Sequence, residues 1–430
     1  MMKLKRLEHI LLCGILVTLP LERLPSVDIA GSTVRISQVL GLLLIAVVLP
    51  KLWRNKRDWL KPPWLFLALF NLAAFASAAL SSRPDHSIKV AGFILFVSLL
   101  GHTISQVVDR SRLKQYLTWA GIGVVGSCLF GLYQFIGDLA GLPYWLTGLR
   151  EEYAKGGIFA FPRIQSTALE PLYFSNYLLV PLAVAATYQA FRKARKTWPI
   201  SFLILIVITL GLSRGAQAAS ACIILVVVGV AVWKGRLRPA LGVLATTVAA
   251  VGVGLMLIGF ASILYEGGAG KRNTASGNVK SFAKQASNIN QGESAQGRAL
   301  TRHLAVRAAM GYPWLGLGPG NFGVYAMEKR PDKFGSADTI VNNEVLEVAA
   351  ENGLMGLVSL LLFVGFAARA AVRAALSEKD SSIAVLIWAL LLGLGGIVLQ
   401  YQLFSTLYIT HIWVAIGLLL GLSRPSRLRR

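Results

Sequence analysis

Charge is scarce in this 430-residue chain: Asp, Glu, Lys and Arg make up 15% of it, against 55% hydrophobic residues. That is too little polar surface to clothe a soluble body of this size, and a water-soluble enzyme is excluded. Acid is scarcer still, with 20 Asp and Glu against 43 Lys and Arg and a formal net charge of +23. Cysteine is nearly absent. Cys13, Cys128 and Cys222 each sit in an apolar run with no paired spacing, which leaves out a disulfide framework and a thiolate metal site. The histidines His9, His86, His102, His303 and His411 show no ligand spacing, and no Asp-x-Asp occurs. Glu151-Glu152 is the remaining pair able to hold a divalent cation, and no required metal is expected. No Gly-Lys-Ser/Thr follows the glycine-rich stretch, so a nucleotidase phosphate loop is excluded.

What the chain has in abundance is apolar sequence. Apolar runs recur from Ile10–Pro20 to Leu407–Leu420, and a helix needs roughly 20 residues to cross a bilayer core, which predicts about twelve transmembrane helices. The expected fold class is all-α and polytopic. Basic clusters follow alternate runs, at Lys3–Arg6, Lys51–Lys61, Arg110–Lys114, Arg192–Lys196, Lys234–Arg238, Arg369–Lys379 and Arg424–Arg430. By the positive-inside rule this alternation explains much of the excess charge without nucleic acid and puts both termini in the cytoplasm. The start of the chain lacks a small-x-small cleavage site and reads as a retained first span.

Ile200–Trp233 is almost entirely apolar and too long for one crossing at 1.5 Å per residue. The chain must turn back at Gly211-Leu212-Ser213-Arg214-Gly215, which carries Arg214 to the extracytoplasmic rim. Three parts result: spans over 1–264, a large extracytoplasmic loop over 265–341, and further spans over 342–430. Glu266–Gly297, rich in Gly, Ser, Asn and Gln, reads as a flexible loop, and Arg298–Met310 has helical spacing.

Chemistry-bearing residues gather on that side. The large loop holds ten Lys and Arg against five Asp and Glu, where positive charge is normally avoided. Arg214, Arg298, Arg302 and Arg307 are the basic candidates, because a guanidinium pairs with phosphate through two parallel hydrogen bonds. Snorkelling to lipid phosphate is the alternative for Arg214. His303 is the large loop's one histidine. Gly316, Gly318 and Gly320, in LGLGPGNF with Asn321, permit either an anion-binding nest or an ordinary turn. Asn342 or Asn343 could cap a helix whose Asn343, Glu347 and Glu351 share one face beside Glu344. Those carboxylates are either a solvated surface or a source of general base, and Glu170 in STALEPLYFSNY is a second source.

The order Ser213-Arg214-Gly215, Gly297-Arg298, Pro313-x-x-Gly316-x-Gly318-x-Gly320-Asn321-Phe322 and Asn343-x-x-Leu346-x-x-x-x-Glu351-x-Gly353-x-x-Gly356 resembles the O-antigen ligase and Wzy-type polymerase superfamily of bacterial membrane glycosyltransferases. Ser166–Pro171 is similar to the Glu-Pro segment of its polysaccharide polymerases. The resemblance implies a GT-C-like fold in the bacterial inner membrane with a periplasmic active site. It implies glycan transfer from an undecaprenyl-pyrophosphate carrier to a hydroxyl of a glycan or of lipid A-core. Arg214 and Arg298 would assist the leaving pyrophosphate, with the proton passing to Glu344, Glu347, Glu170 or His303. Substrate contacts would come from Arg302, His303, Gly318, Gly320, Asn321, Asn342 and Asn343. The donor is already activated, so no cofactor is expected. Ligases usually carry histidine where this chain has Asn342, which favours a polymerase over a ligase. A transporter or a scaffold protein is the competing class.

Overall fold

Long uninterrupted runs of Leu, Val, Ile and Ala leave the backbone no route to satisfaction in a bilayer except its own helical hydrogen bonds, and helices dominate. A computed structural model of the chain describes residues 2–23, 25–29, 32–154, 161–192, 197–266 and 293–424. Most of the Glu266–Gly297 stretch, part of the Arg192–Lys196 cluster and most of the Arg424–Arg430 cluster lie outside the described residues. The helices are α1 (Met2–Thr18), α2 (Ile36–Arg54), α3 (Trp64–Ala79), α4 (Pro84–Val107), α5 (Leu113–Leu139), the single turn α6 (Tyr144–Thr147), α7 (Pro171–Phe191), α8 (Trp198–Gly211), α9 (Arg214–Trp233), α10 (Leu237–Glu266), α11 (Glu293–Gly311), α12 (Phe322–Lys329), α13 (Glu344–Ser377), α14 (Ser381–Gln400) and α15 (Thr410–Leu422). Among the described residues, seven helices are long and apolar enough to cross a membrane. Three shorter apolar helices, α3, α8 and α15, accompany them. One small exception to the all-α expectation is an antiparallel hairpin, Ser26–Ile29 with Ser32–Arg35, in register Ser26↔Arg35.

Contacts divide the chain into two compact units built from interleaved segments. The first comprises Met1–Leu43, Asp109–Ser287 and Glu378–Leu399. Its core brings α5, α7, α8, α9 and α10 together around Phe135, Phe174, Leu178, Leu182, Ile204 and Val227. The Ile200–Trp233 run breaks as its length demands: α8 ends on Leu212 in the left-handed conformation (φ 51°), and α9 begins at Arg214.

The second unit comprises Leu44–Val108, Asn288–Ser377 and Gln400–Arg430. Here α3, α4, α13 and α15 pack through Phe70, Val97, Phe363 and Trp413. Where α4 meets α15 the backbones come close. A Cβ on Gly417 would stand 2.6 Å from the Gly101 carbonyl oxygen, so only glycine fits. Small residues at such crossings are how apolar helices gain packing when lipid supplies no hydrophobic drive. A second core, of Leu304, Ala308, Phe322, Ala326, Val341 and Ala350, ties α11, α12 and the start of α13.

Candidate functional site

In the first unit, the segment leading into α7 is fixed before any chemistry is asked of it. Ser166 has φ 53°, a conformation that costs energy for a residue with a Cβ and persists only when its surroundings hold it. Gln134 supplies the hold: its Nε2 donates to the Ser166 carbonyl (3.0 Å), and its Oε1 accepts the Ser166 amide (2.7 Å). Thr167 Oγ1 donates to the Pro20 carbonyl (2.6 Å), and the Arg23 amide donates to the Thr167 carbonyl (2.8 Å). Glu170 then stands at the N-cap of α7, extended and exposed, with no side-chain capping bond.

Arginines surround this segment. Arg163 donates through Nε and Nη2 to the Gly211 carbonyl (3.4 and 3.2 Å) and lies 5.7 Å from the centre of the Tyr153 ring. Burial pulls its guanidinium below the usual arginine range, Tyr153 and Glu170 oppose that, and the like charge of Arg214 adds to it. Burial raises the Tyr153 phenol, with Glu170 and Glu152 pushing the same way. Arg150 donates to the Leu169 carbonyl (3.3 Å) and pairs with Glu152 (3.4 Å). Arg23 donates to the Gly148 carbonyl; burial lowers its pKa, Arg150 lowers it further, and Glu152 opposes. Glu151 and Glu152 are both exposed.

Arg214 itself is exposed and is the first residue of α9. Ser213 precedes it without a side-chain capping bond, and its buried Oγ has no hydrogen-bond partner among the described residues. The first amides of a helix carry partial positive charge, and an uncapped start flanked by guanidinium groups favours an anion. Sequence reasoning missed Arg163. Its signal was a lone arginine between Pro162 and Ile164, in a segment expected on the side where positive charge is avoided.

The second unit holds the glycine-rich loop and the carboxylates. The loop docks against α13 where Gly353 breaks the helix with φ 61°. Leu317 and Gly318 amides donate to the Ala350 and Glu351 carbonyls (both 2.9 Å), and the Leu354 amide donates to the Pro313 carbonyl (2.7 Å). A Cβ on Gly316 would fall 2.4 Å from the Glu351 carbonyl carbon, and one on Gly353 would fall 2.4 Å from Trp314 backbone. Neither can be replaced without moving the chain. The Glu351 carboxylate accepts the amides of Gly320 (2.8 Å) and Phe322 (3.1 Å). The two loop amides are therefore taken by the protein's own Glu351 side chain. Gly318 lies beside Ser81 and Ser87, Gly320 beside His86, and Asn321 donates to the Leu317 carbonyl (3.0 Å).

The other acidic residues are engaged in a similar way. Asn343 caps α13, its Oδ1 accepting the Leu346 amide (3.0 Å). Asn342 adopts φ 59°, and its amide donates to Ser405 Oγ (3.2 Å). Glu344 is buried and accepts the Thr406 amide (2.7 Å). Glu347 accepts the Val341 amide (2.8 Å) and the Ser405 hydroxyl. From α11, Arg302 donates to the Gln402 carbonyl, whose side chain accepts from Asn343 Nδ2 (3.1 Å). Arg298 is half-buried one turn before Arg302, while His303 and Arg307 are exposed. The 400–406 connection, with Gln402, Ser405 and Thr406, is thus a polar element of the site. Only its interruption of two apolar runs marked it in the sequence.

Comparison with known families covers part of these residues. Residues 199–361 match the O-antigen ligase family. The match includes Arg214, Arg298, Arg302, the glycine-rich loop and the carboxylates of α13. A search of curated proteins found no match.

Proposed function

We propose that this chain, whose residues 199–361 match the O-antigen ligase family, transfers a glycan from an undecaprenyl-pyrophosphate carrier to an acceptor hydroxyl. The bond between the sugar's anomeric carbon and the diphosphate oxygen breaks, and a bond from that carbon to the acceptor oxygen forms. The diphosphate leaves on its lipid, and the acceptor's proton goes to a base. Arg163 and Arg214 carry the reading: the first donates to the Gly211 carbonyl (3.2 Å) at the end of α8, and the second opens the uncapped start of α9 three residues on. Positive groups fixed where charge develops on a leaving group are commonly worth about 10²–10³ in rate each. In the second unit, the resemblance makes Arg298 and Arg302 further candidates for the diphosphate, and Arg302, His303, Gly318, Gly320, Asn321, Asn342 and Asn343 candidates for substrate contact.

Glu170 is the favoured base. Glu344, Glu347 and Glu351 are each occupied by backbone donors, whereas Glu170 is exposed beside Arg163 and Tyr153. The membrane arrangement follows the sequence reading: about twelve spans, termini in the cytoplasm, and the site on the periplasmic face of a bacterial inner membrane. The parts are the spans of 1–264, the loop of 265–341 and the spans of 342–430.

A polymerase joining lipid-linked repeat units fits best, because Asn342 cannot accept the proton that a histidine would. The ligase reading is favoured by the family description itself. Purified protein mixed with lipid-pyrophosphate-linked repeat units separates them. A ladder of lengthening products supports the polymerase, transfer only to lipid A-core supports the ligase, and no sugar transfer overturns both.

A further inference from the structure

The geometry points to a binding site for an anionic phospholipid headgroup in the second unit, at the Trp64 end of α3. A cavity of about 720 Å³ opens there, lined by Lys51, Asp58, Lys61, Trp64, Gln106 and Arg424 among others. Its lining holds three cations and one carboxylate, and Lys61 is bonded to that Asp58 at 3.0 Å.

Gln106 organises the wall. Its main-chain carbonyl accepts from Lys51 Nζ (2.8 Å), and its Oε1 accepts from Arg424 (2.6 Å). Both acceptors of Gln106 therefore aim a cation, while its Nε2, a buried donor, has no partner among the described residues. A cavity furnished with donors and cations is built for an oxygen-rich anion. Asn55 and Ser423 add polar groups to it, and Pro62, Pro63, Ala370 and Leu420 form its apolar part.

A phosphate ion would need only the polar wall. A phospholipid uses both, its phosphodiester on the cations and its first methylenes on the apolar lining. The neighbouring chain agrees with a bilayer boundary, since Trp53 and Leu60 are 74% and 70% exposed. Exposed tryptophan beside basic residues is the side-chain pattern of a membrane–water interface, and basic pockets between membrane helices take anionic headgroups. This site uses none of the residues assigned to glycan transfer.

The test is native mass spectrometry of the full-length protein in detergent, titrated with phosphatidylglycerol, phosphatidylcholine or inorganic phosphate. The expected result is preferential retention of phosphatidylglycerol, falling about fivefold for each cation removed in Lys51→Gln and Arg424→Gln. Lys61→Glu reverses a charge at a side chain that is 69% exposed, and the same loss is expected at unchanged thermal stability. Arg369→Gln removes an exposed cation outside the lining and should retain the lipid. Equal retention of the two lipids, an equal loss in Arg369→Gln, or displacement of phosphatidylglycerol by millimolar inorganic phosphate would overturn the proposal.

Discussion

Glu351 and Gly320 stand thirty-one positions apart and meet at 2.8 Å, the Glu351 Oε2 accepting the Gly320 amide. The other oxygen takes the Phe322 amide, so one carboxylate pins the loop and caps the start of α12. A hydrogen bond contributes about 0.5–1.5 kcal/mol net, and stranding a buried donor costs about 1–3 kcal/mol. Glu351→Ala should therefore lower stability by about 2–4 kcal/mol, read as an earlier thermal transition in detergent. Glu351→Gln keeps one oxygen but presents an amide hydrogen to the second donor, and an intermediate loss is expected. An unchanged transition in both would mean that the loop is held by other contacts.

Gly316 tests the same docking from the other side. At φ 75° a side chain is already strained, and its Cβ would also meet Glu351 backbone at 2.4 Å. Gly316→Ala should lose at least as much stability as Glu351→Ala, and the double variant should lose less than the sum, because both act on one contact. Full additivity would show the two residues to be independent.

Much of this was legible in the sequence and some was not. A run as apolar as Ile200–Trp233 has to break where two glycines and an arginine interrupt it, and α8 and α9 meet at Leu212. Asn343, Glu347 and Glu351 share a face because four residues are nearly one helical turn. What that face meets is a tertiary matter: the partners of its acids are amides at 320, 322 and 341 and a hydroxyl at 405, brought in by long-range folding. Periodicity cannot distinguish a carboxylate kept for catalysis from one consumed by backbone. Arg163 was missed for a related reason. Its meaning comes from the Gly211 carbonyl and from Arg214, both on the α8–α9 turn.

Glu22 gives a pH test outside the proposed chemistry. Burial raises its carboxyl above the usual glutamate range, while Arg35 and the Leu169 amide pull the other way without cancelling it. Above the raised folded pKa the buried carboxylate is ionised and costs stability; as pH falls through that value it protonates and the cost is relieved. Glu22→Gln should raise the thermal transition at pH 8, with the gain shrinking toward the ordinary glutamate pKa. A gain that grows on acidification would reverse the assignment.

Arg163 and Arg214 differ in what they can spare. Arg163 spends two N–H groups on the Gly211 carbonyl, so Arg163→Lys should cost both stability and transfer rate. Arg214 is exposed at the start of its helix, so Arg214→Lys should fold normally and lose rate alone. Comparing melting temperature with turnover for each variant checks the split.

The most direct measurement is single-turnover transfer of a lipid-pyrophosphate-linked glycan by purified wild-type protein and by Arg214→Ala, each shown to be folded. The account predicts a fall in the chemical step of about 10²–10³-fold for the variant. Transfer at the wild-type rate would contradict it.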